Sequence, residues 1–180
     1  MASVFSHAVV GAAIGTAFWR PGVPARYWIT AAVLAAVPDL DSIGFRFGVH
    51  YGDVLGHRGI THSLLFAAVL GAIVAALAFP SGAGPVPRSH LWLYFFLATA
   101  SHGVLDALTN GGLGVAFFAP FDNTRYFFPF TPIQVSPISV RAFFSEWGAR
   151  VLASEFVWVW LPSAIFAGSV LWLRRKQIAA

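Results

Sequence analysis

The chain has 180 residues, 58% of them hydrophobic and 10% charged, with a formal net charge of +4 and a mean hydropathy of +0.73. A soluble domain is nearer about a quarter charged, so the composition is that of a membrane protein, and the length makes one integral-membrane domain over residues 1–180. The absence of cysteine excludes thiolate metal sites and thiol nucleophiles but leaves the redox compartment open.

Five apolar stretches follow in chain order, at residues 4–19, 27–37, 61–79, 91–108 and 156–173. A helix needs about 20 residues to cross the hydrocarbon. The third and fifth stretches meet that length, and the first and fourth fall slightly short. Residues 27–37 cross only if their helix takes in the polar ends from Pro24 to Leu40; we count them because the topology then closes. The expectation is an all-α polytopic protein with about five transmembrane or membrane-embedded helices. The first stretch is not a signal peptide: no basic segment precedes it, and Arg20 and Arg26 come after the apolar run. Within it, "GAAIG" (Gly11 and Gly15) is a small-residue face that lets the helix pack closely against a neighbour.

The connections are readable too. "RPGVPAR" (20–26) and "PSGAGPVPR" (80–88) are Pro/Gly turns that stop helices, and "NGG" (110–112) stops the fourth. The longer links, 38–60 and 109–150, carry most of the remaining polarity. The second contains "FFAPFDNTRYFFPFTPIQVSP", aromatic and proline-rich, which reads as a cap at the membrane interface. "ISVRAFFSEWGARVLASE" then reads as helix running into the last span. There is no internal repeat.

Threading five spans through a bilayer gathers the polar residues on one face. Asp39, Asp41, Asp53, Asp106, Asp122, Glu146 and Glu155 all fall there, as do His7, His50, His57, His62 and His102; only His90 falls on the other. The opposite face has six basic residues (Arg20, Arg26, Arg88, Arg174, Arg175, Lys176) and no acid, against five basic residues beside the seven acids. By the positive-inside rule the acid-free face is cytoplasmic. The polar cluster is then extracytoplasmic and the C-terminus cytoplasmic.

That cluster has the composition of a metal site. "SHGVLD" sets His102 and Asp106 at i and i+4 on one helix face, offering an imidazole nitrogen and a carboxylate oxygen to one ion. The competing reading is a His–Asp hydrogen bond that glues two helices. His7 one turn into the first helix, Asp39 and Asp41 in "PDLD" at the end of the second, and His57 and His62 in "HRGITH" ahead of the third come to the same height. Histidines and carboxylates without sulfur suit one or two divalent ions, zinc first, with manganese and iron as alternatives. Arg58 either orients a phosphate or snorkels to headgroups. His50 and Asp53 in "GVHYGD" read as solvated loop residues. Glu155 is either a charge on a helix N-terminus or a further ligand.

"PDLD", "HRGITHS", "SHGVLDALTNGG" and "SPISVRAFFSEWGARVLASEFVWVWLP", in that order over nearly the whole chain, resemble the LexA-regulated, YdjM-like membrane-bound metal-dependent hydrolases. The resemblance implies a metal set of His7, Asp39, His57, His62, His102 and Asp106, with Asp41 and Glu155 as additions. A looser similarity to zinc-dependent phospholipase C and the single-strand-specific zinc nucleases stops short: those carry a second pair, His-xxx-Glu, which this sequence lacks, so a full three-zinc site is not expected.

The expected activity is metal-assisted hydrolysis. A bound divalent ion lowers the pKa of water to about 7, a carboxylate not used up as a ligand, Asp41 or Asp39, takes the proton, and Arg58 binds a phosphoryl oxygen. A site at the membrane edge points to a phosphoester of a lipid or other amphiphile, with membrane lipids as partners and no nucleic acid. The alternatives are a divalent-metal-binding membrane protein without hydrolase activity, and a metal transporter. A transporter would continue its polar route to the other face and often show paired repeats. Haem is disfavoured by the density of carboxylates, and a purely structural role leaves the convergence unexplained.

Overall fold

The computed structural model of the chain describes residues 1–179, and the side chains of residues 1–175; Lys176, counted above at the acid-free face, lies outside the described side chains. Helix α1 (Val4–Phe18) begins at Ser3, whose Oγ accepts from the Ser6 amide. Helix α2 (Ala25–Ala36) follows Pro24 and continues as a 3-10 helix over Val37–Phe47. A 3-10 turn (Ile60–His62) leads to α3 (Leu64–Ala78), which Ser63 caps, and α4 (Arg88–Ala107) follows Pro87. Pro24 and Pro87 stand where a missing N–H removes no helical bond. After α5 (Val140–Phe143) and α6 (Glu146–Glu155), a π turn (Phe156–Trp160) passes directly into α7 (Leu161–Ala179). There is no strand among the described residues; three isolated bridges remain, Ala83 with Val86, Thr109 with Ile133, and Val115 with Tyr126.

The all-helical expectation holds; helix length and composition do not by themselves give five spans. Among the described residues, two helical runs are both long and apolar enough to cross a membrane: Ala25–Phe47, 23 residues of mean hydropathy 1.3, and Glu146–Arg175, 30 residues of mean hydropathy 1.7. Helices α1 and α3, at 15 residues each, fall short of the roughly 20 that a hydrocarbon core needs. Residues 27–37 are part of a longer helical run, as their spanning required, but "PDLD" does not end it. The run goes on in 3-10 form to Phe47, with Pro38 at its start.

Helix α4 is the centre of the bundle, packed against α1, α2 and α3, while α1 also meets α2 and α7. Small residues set the spacing. A Cβ at Gly11 would come within 3.1 Å of both the Ala31 carbonyl oxygen and the Ala35 Cβ of α2, and one at Gly15 would overlap the Tyr94 hydroxyl and the Trp28 ring. The close-packing face expected from "GAAIG" is therefore real. One half of the bundle is filled by Tyr27, Leu34, Phe79, Leu91, Tyr94 and Phe95. Outward faces carry Ile29, Val33, Ile73, Leu77 and Ile165 in exposed positions.

At the other end, the segment after α4 is stitched over the helix termini. Phe128 donates to the Ala107 carbonyl, Ala116 to that of Arg58, Leu64 to that of Phe117, and Ser136 to that of Met1. Arg125 reaches across to the carbonyls of His57, Tyr51 and Asp53. The long loops are thus joined to each other above the place where the histidines meet.

Candidate metal centre

Each element delivers its ligand-type side chain for a local reason. In α4 the i, i+4 spacing puts His102 and Asp106 on one face, with His102 Nε2 3.9 Å from Asp106 Oδ2. In the 3-10 run successive side chains turn by about 120°, so Asp39 and Asp41 leave it in different directions. Asp39 faces α4, its Oδ1 3.3 Å from His102 Nε2 and 3.8 Å from His62 Nε2. Asp41 faces the loop ahead of α3. From α1, His7 stacks on His102 at 3.6 Å between ring centroids and brings its Nε2 to 3.5 Å from Asp106 Oδ1. His62 Nε2 lies 3.6 Å from Asp106 Oδ2.

These atoms fit a cation. Nε2 of His7, His62 and His102 and both oxygens of Asp39 are buried with no hydrogen-bond partner. Buried polar atoms are nearly always satisfied, and leaving several orphaned around one point is costly. One ligand atom each from Asp39, His62, His102 and Asp106 falls within 4.8 Å of the others. Donors that bind one ion at about 2.0–2.2 Å each lie at most about 4.4 Å apart, and the pairs above meet that bound. The set is nitrogen and oxygen without sulfur, as a divalent transition ion prefers.

A second layer fixes the imidazoles. His102 Nδ1 donates to the Ala35 carbonyl at 2.7 Å, which leaves Nε2 as the free nitrogen. Asp41 does the same for two histidines: its Oδ1 is 2.7 Å from His57 Nδ1 and its Oδ2 3.1 Å from His62 Nδ1. The Thr61 hydroxyl donates to Asp41 Oδ2 at 2.6 Å and the Arg58 amide at 3.2 Å. Around His62, in the turn before α3, burial opposes the charged form. The carboxylates of Asp106, Asp39 and Asp41 outweigh that and push its pKa up to about 10.

Four of the residues read from the sequence as ligands, Asp39, His62, His102 and Asp106, are brought together, and His7 stands against them. The others are placed differently. His57 sits behind Asp41, in a group with Asp41 and His62. Glu155 lies on the N-terminus of α1, accepting from the Ser3 amide and from Ser3 Oγ. Asp41, one of two carboxylates expected to take a proton, has both oxygens engaged. Arg58, expected at a phosphoryl oxygen, is fully buried and spends its three nitrogens on the protein: Nε on Asp106 Oδ2, one terminal nitrogen on the Gly111 carbonyl and the other on Thr109 Oγ1. Its φ of 63° is a strained left-handed conformation for a side-chain-bearing residue. His50 and Asp53 stay in the exposed loop, paired with each other.

Sequence reasoning missed Thr61, Thr109, Ser3 and Arg125. Thr61 and Thr109 lie inside quoted motifs and were legible as hydroxyls near ligands. The Ala35 carbonyl leaves no sequence signal.

Comparison with known proteins places the chain among membrane proteins. The family described as YdjM inner membrane protein matches residues 1–178. The inner membrane protein YbcI of Escherichia coli K12 is 36% identical over 178 residues, 97% of this chain and all of that protein. The uncharacterized protein YvsG of Bacillus subtilis 168 is 30% identical over 95 residues, 49% of this chain and 54% of that protein. No solved structure matches.

Proposed function

The chain belongs to the family of the YdjM inner membrane protein, and from that premise we propose that it is a membrane-embedded metal-dependent hydrolase acting on a phosphoester of a lipid or other amphiphile. The observation that carries this is the group of unpartnered, buried ligand atoms of His7, Asp39, His62 and His102 gathered at Asp106. A divalent ion held by Asp39, His62, His102 and Asp106 would supply Lewis acidity and lower the pKa of water to about 7.

The chain's own residues do the rest. Asp39 is the carboxylate with both oxygens unpartnered and a side chain 12% exposed, so one of its oxygens accepts the proton. Arg58 holds Asp106 in place. Asp41 keeps the ring nitrogens of His62 and His57 oriented. We further propose that all five long helices, α1 to α4 and α7, are embedded in the bilayer with the metal centre on the outer side. The acid-free face with Arg20, Arg26, Arg88 and Arg174 supports a cytoplasmic C-terminus. Exposed Phe118, Phe121 and Phe130 in the overlying segment favour an amphiphilic substrate.

A cation path would need ligands through the bundle. The other half is the aromatic core around Tyr27, Tyr94 and Phe95, and neither group of metal-ligating residues found among the described residues lies there, which speaks against transport.

The test is release of phosphate or headgroup from a phosphatidic acid and phosphatidylglycerol panel by purified, metal-loaded protein. Turnover that is lost in His102→Ala/Asp106→Ala supports the reading. Metal-loaded wild type without turnover on any phosphoester lipid, long- or short-chain, would leave a metal-binding protein that is not a hydrolase.

A further inference from the structure

Beside the metal centre a cavity of about 240 Å³ lies between the start of α1 and α5. Pockets for whole drug-sized ligands run to about 300–1,000 Å³, so this one suits part of a molecule. Phe5, Ile138, Val140, Phe143 and Phe144 form its walls, with Phe5 and Phe143 in ring contact at 6.1 Å. Its few polar groups are engaged elsewhere: Ser3 Oγ with Glu155, the Met1 ammonium 4.0 Å from Asp106 Oδ2, and Ser136 Oγ with the Pro137 carbonyl. Its outer rim is open and apolar: Phe5 is 54% exposed, Val140 74% and Phe144 82%, on the flank that meets hydrocarbon if the helices are embedded as proposed.

The inner end decides what lies in it. Met1 and Ser3 line the cavity, and Ala2 between them donates its amide to Asp106 Oδ1 at 2.7 Å. One short backbone segment is therefore the wall of an apolar groove and, on its other side, the support of a ligand carboxylate. We propose that this groove takes one hydrocarbon chain of the amphiphilic substrate, entering sideways from the bilayer, so that the molecule is anchored against the Met1–Ser3 segment that supports Asp106. The inference rests on the hydrolase reading and adds to it the subsite that selects for a chain.

The test is photolabelling in nanodiscs of phosphatidylglycerol with a trace of phosphatidic acid that carries a diazirine midway along one acyl chain, followed by peptide mass spectrometry. The expected result is label concentrated on residues 1–5 and 138–144, several-fold above lipid-facing Ile73 and Leu77 of α3. Val140→Trp, at an exposed position that does not depend on core packing, should remove most of it. Label spread evenly over exposed apolar residues, or unchanged in Val140→Trp, would overturn the proposal. Phosphate or headgroup release by the same metal-loaded samples reads the hydrolase proposal separately, because labelling requires no turnover.

Discussion

Arg58 donates through Nε to Asp106 Oδ2 across 3.0 Å, with both side chains fully buried. The pair joins the strained turn before α3 to the last turn of α4, and Arg58 shares the balancing of this buried carboxylate with the Met1 ammonium at 4.0 Å and His62 at 3.6 Å. Removing one partner of such a pair costs about 3–5 kcal/mol. Arg58→Met should therefore lower the unfolding temperature strongly in detergent, by far more than a surface substitution such as Arg46→Met. Arg58→Lys keeps the charge but not the planar fork that reaches Thr109 and Gly111, and should fall between the two. Equal unfolding temperatures for Arg58→Met and wild type would contradict this role.

Asp41 accepts at both oxygens from groups around the ligand cluster, with Oδ2 3.1 Å from His62 Nδ1, and under the proposed site it orients His62 and is not itself a ligand. Loss of such an orienting carboxylate lowers metal affinity by about 10–100-fold. Asp41→Asn should show that loss in a chelator competition while still binding at high metal concentration, whereas Asp39→Asn should bind far more weakly still. If Asp41→Asn matched wild type in affinity, its contacts with His57 and His62 would be of no consequence to the site.

Glu155 holds Ser3 and with it the start of α1. Glu155→Gln should keep its metal content and lose stability, since one charged acceptor at the Ser3 amide and hydroxyl becomes neutral; a hydrogen bond to a charged group is worth about 1.5–3 kcal/mol. Elemental mass spectrometry beside thermal unfolding checks both halves. A fall in metal content without loss of stability would restore Glu155 to the ligand set.

Metal binding should release protons. With its pKa raised to about 10, His62 carries a proton at neutral pH when no ion is bound, and a cation at Nε2 must displace it. Because the metal-free form holds the extra proton at every pH below about 10, apparent affinity should rise as pH rises, approaching tenfold per unit for one proton. Titrations at pH 6, 7 and 8 measure the slope. A flat profile would mean that His62 is not a ligand.

Much of this was legible in the sequence because it follows from spacing. The i, i+4 pair His102 and Asp106 could only share a helix face, and Gly11 and Gly15 could only mark close packing. The common height of His7, Asp39 and His62 followed from threading the apolar runs back and forth, with residues 27–37 extended through their polar ends. What stayed hidden depends on backbone that has no periodic signature. The 3-10 run over Val37–Phe47 separates Asp39 from Asp41, sending one to the ligand group and the other behind it. Residues two apart leave any helix in different directions; which of the two carboxylates meets the ligand group is set by how this run lies against α4 and the loop ahead of α3. Arg58 was misjudged because a left-handed residue in a loop gives no hint that its side chain turns inward. Length and polarity together keep the other helices from meeting the requirement for a span: α1 and α3 are apolar but short, while α4 has 20 residues but carries Arg88, His90, His102 and Asp106.

The central claim is that Asp39, His62, His102 and Asp106 hold an ion. Its most direct test is elemental mass spectrometry on detergent-purified wild type beside His102→Ala/Asp106→Ala, each shown to be folded. The account predicts near-stoichiometric zinc, manganese or iron in the wild type and background levels in the double variant. A folded wild type that takes up no divalent metal even after resupply, or a double variant that keeps it, would contradict the account.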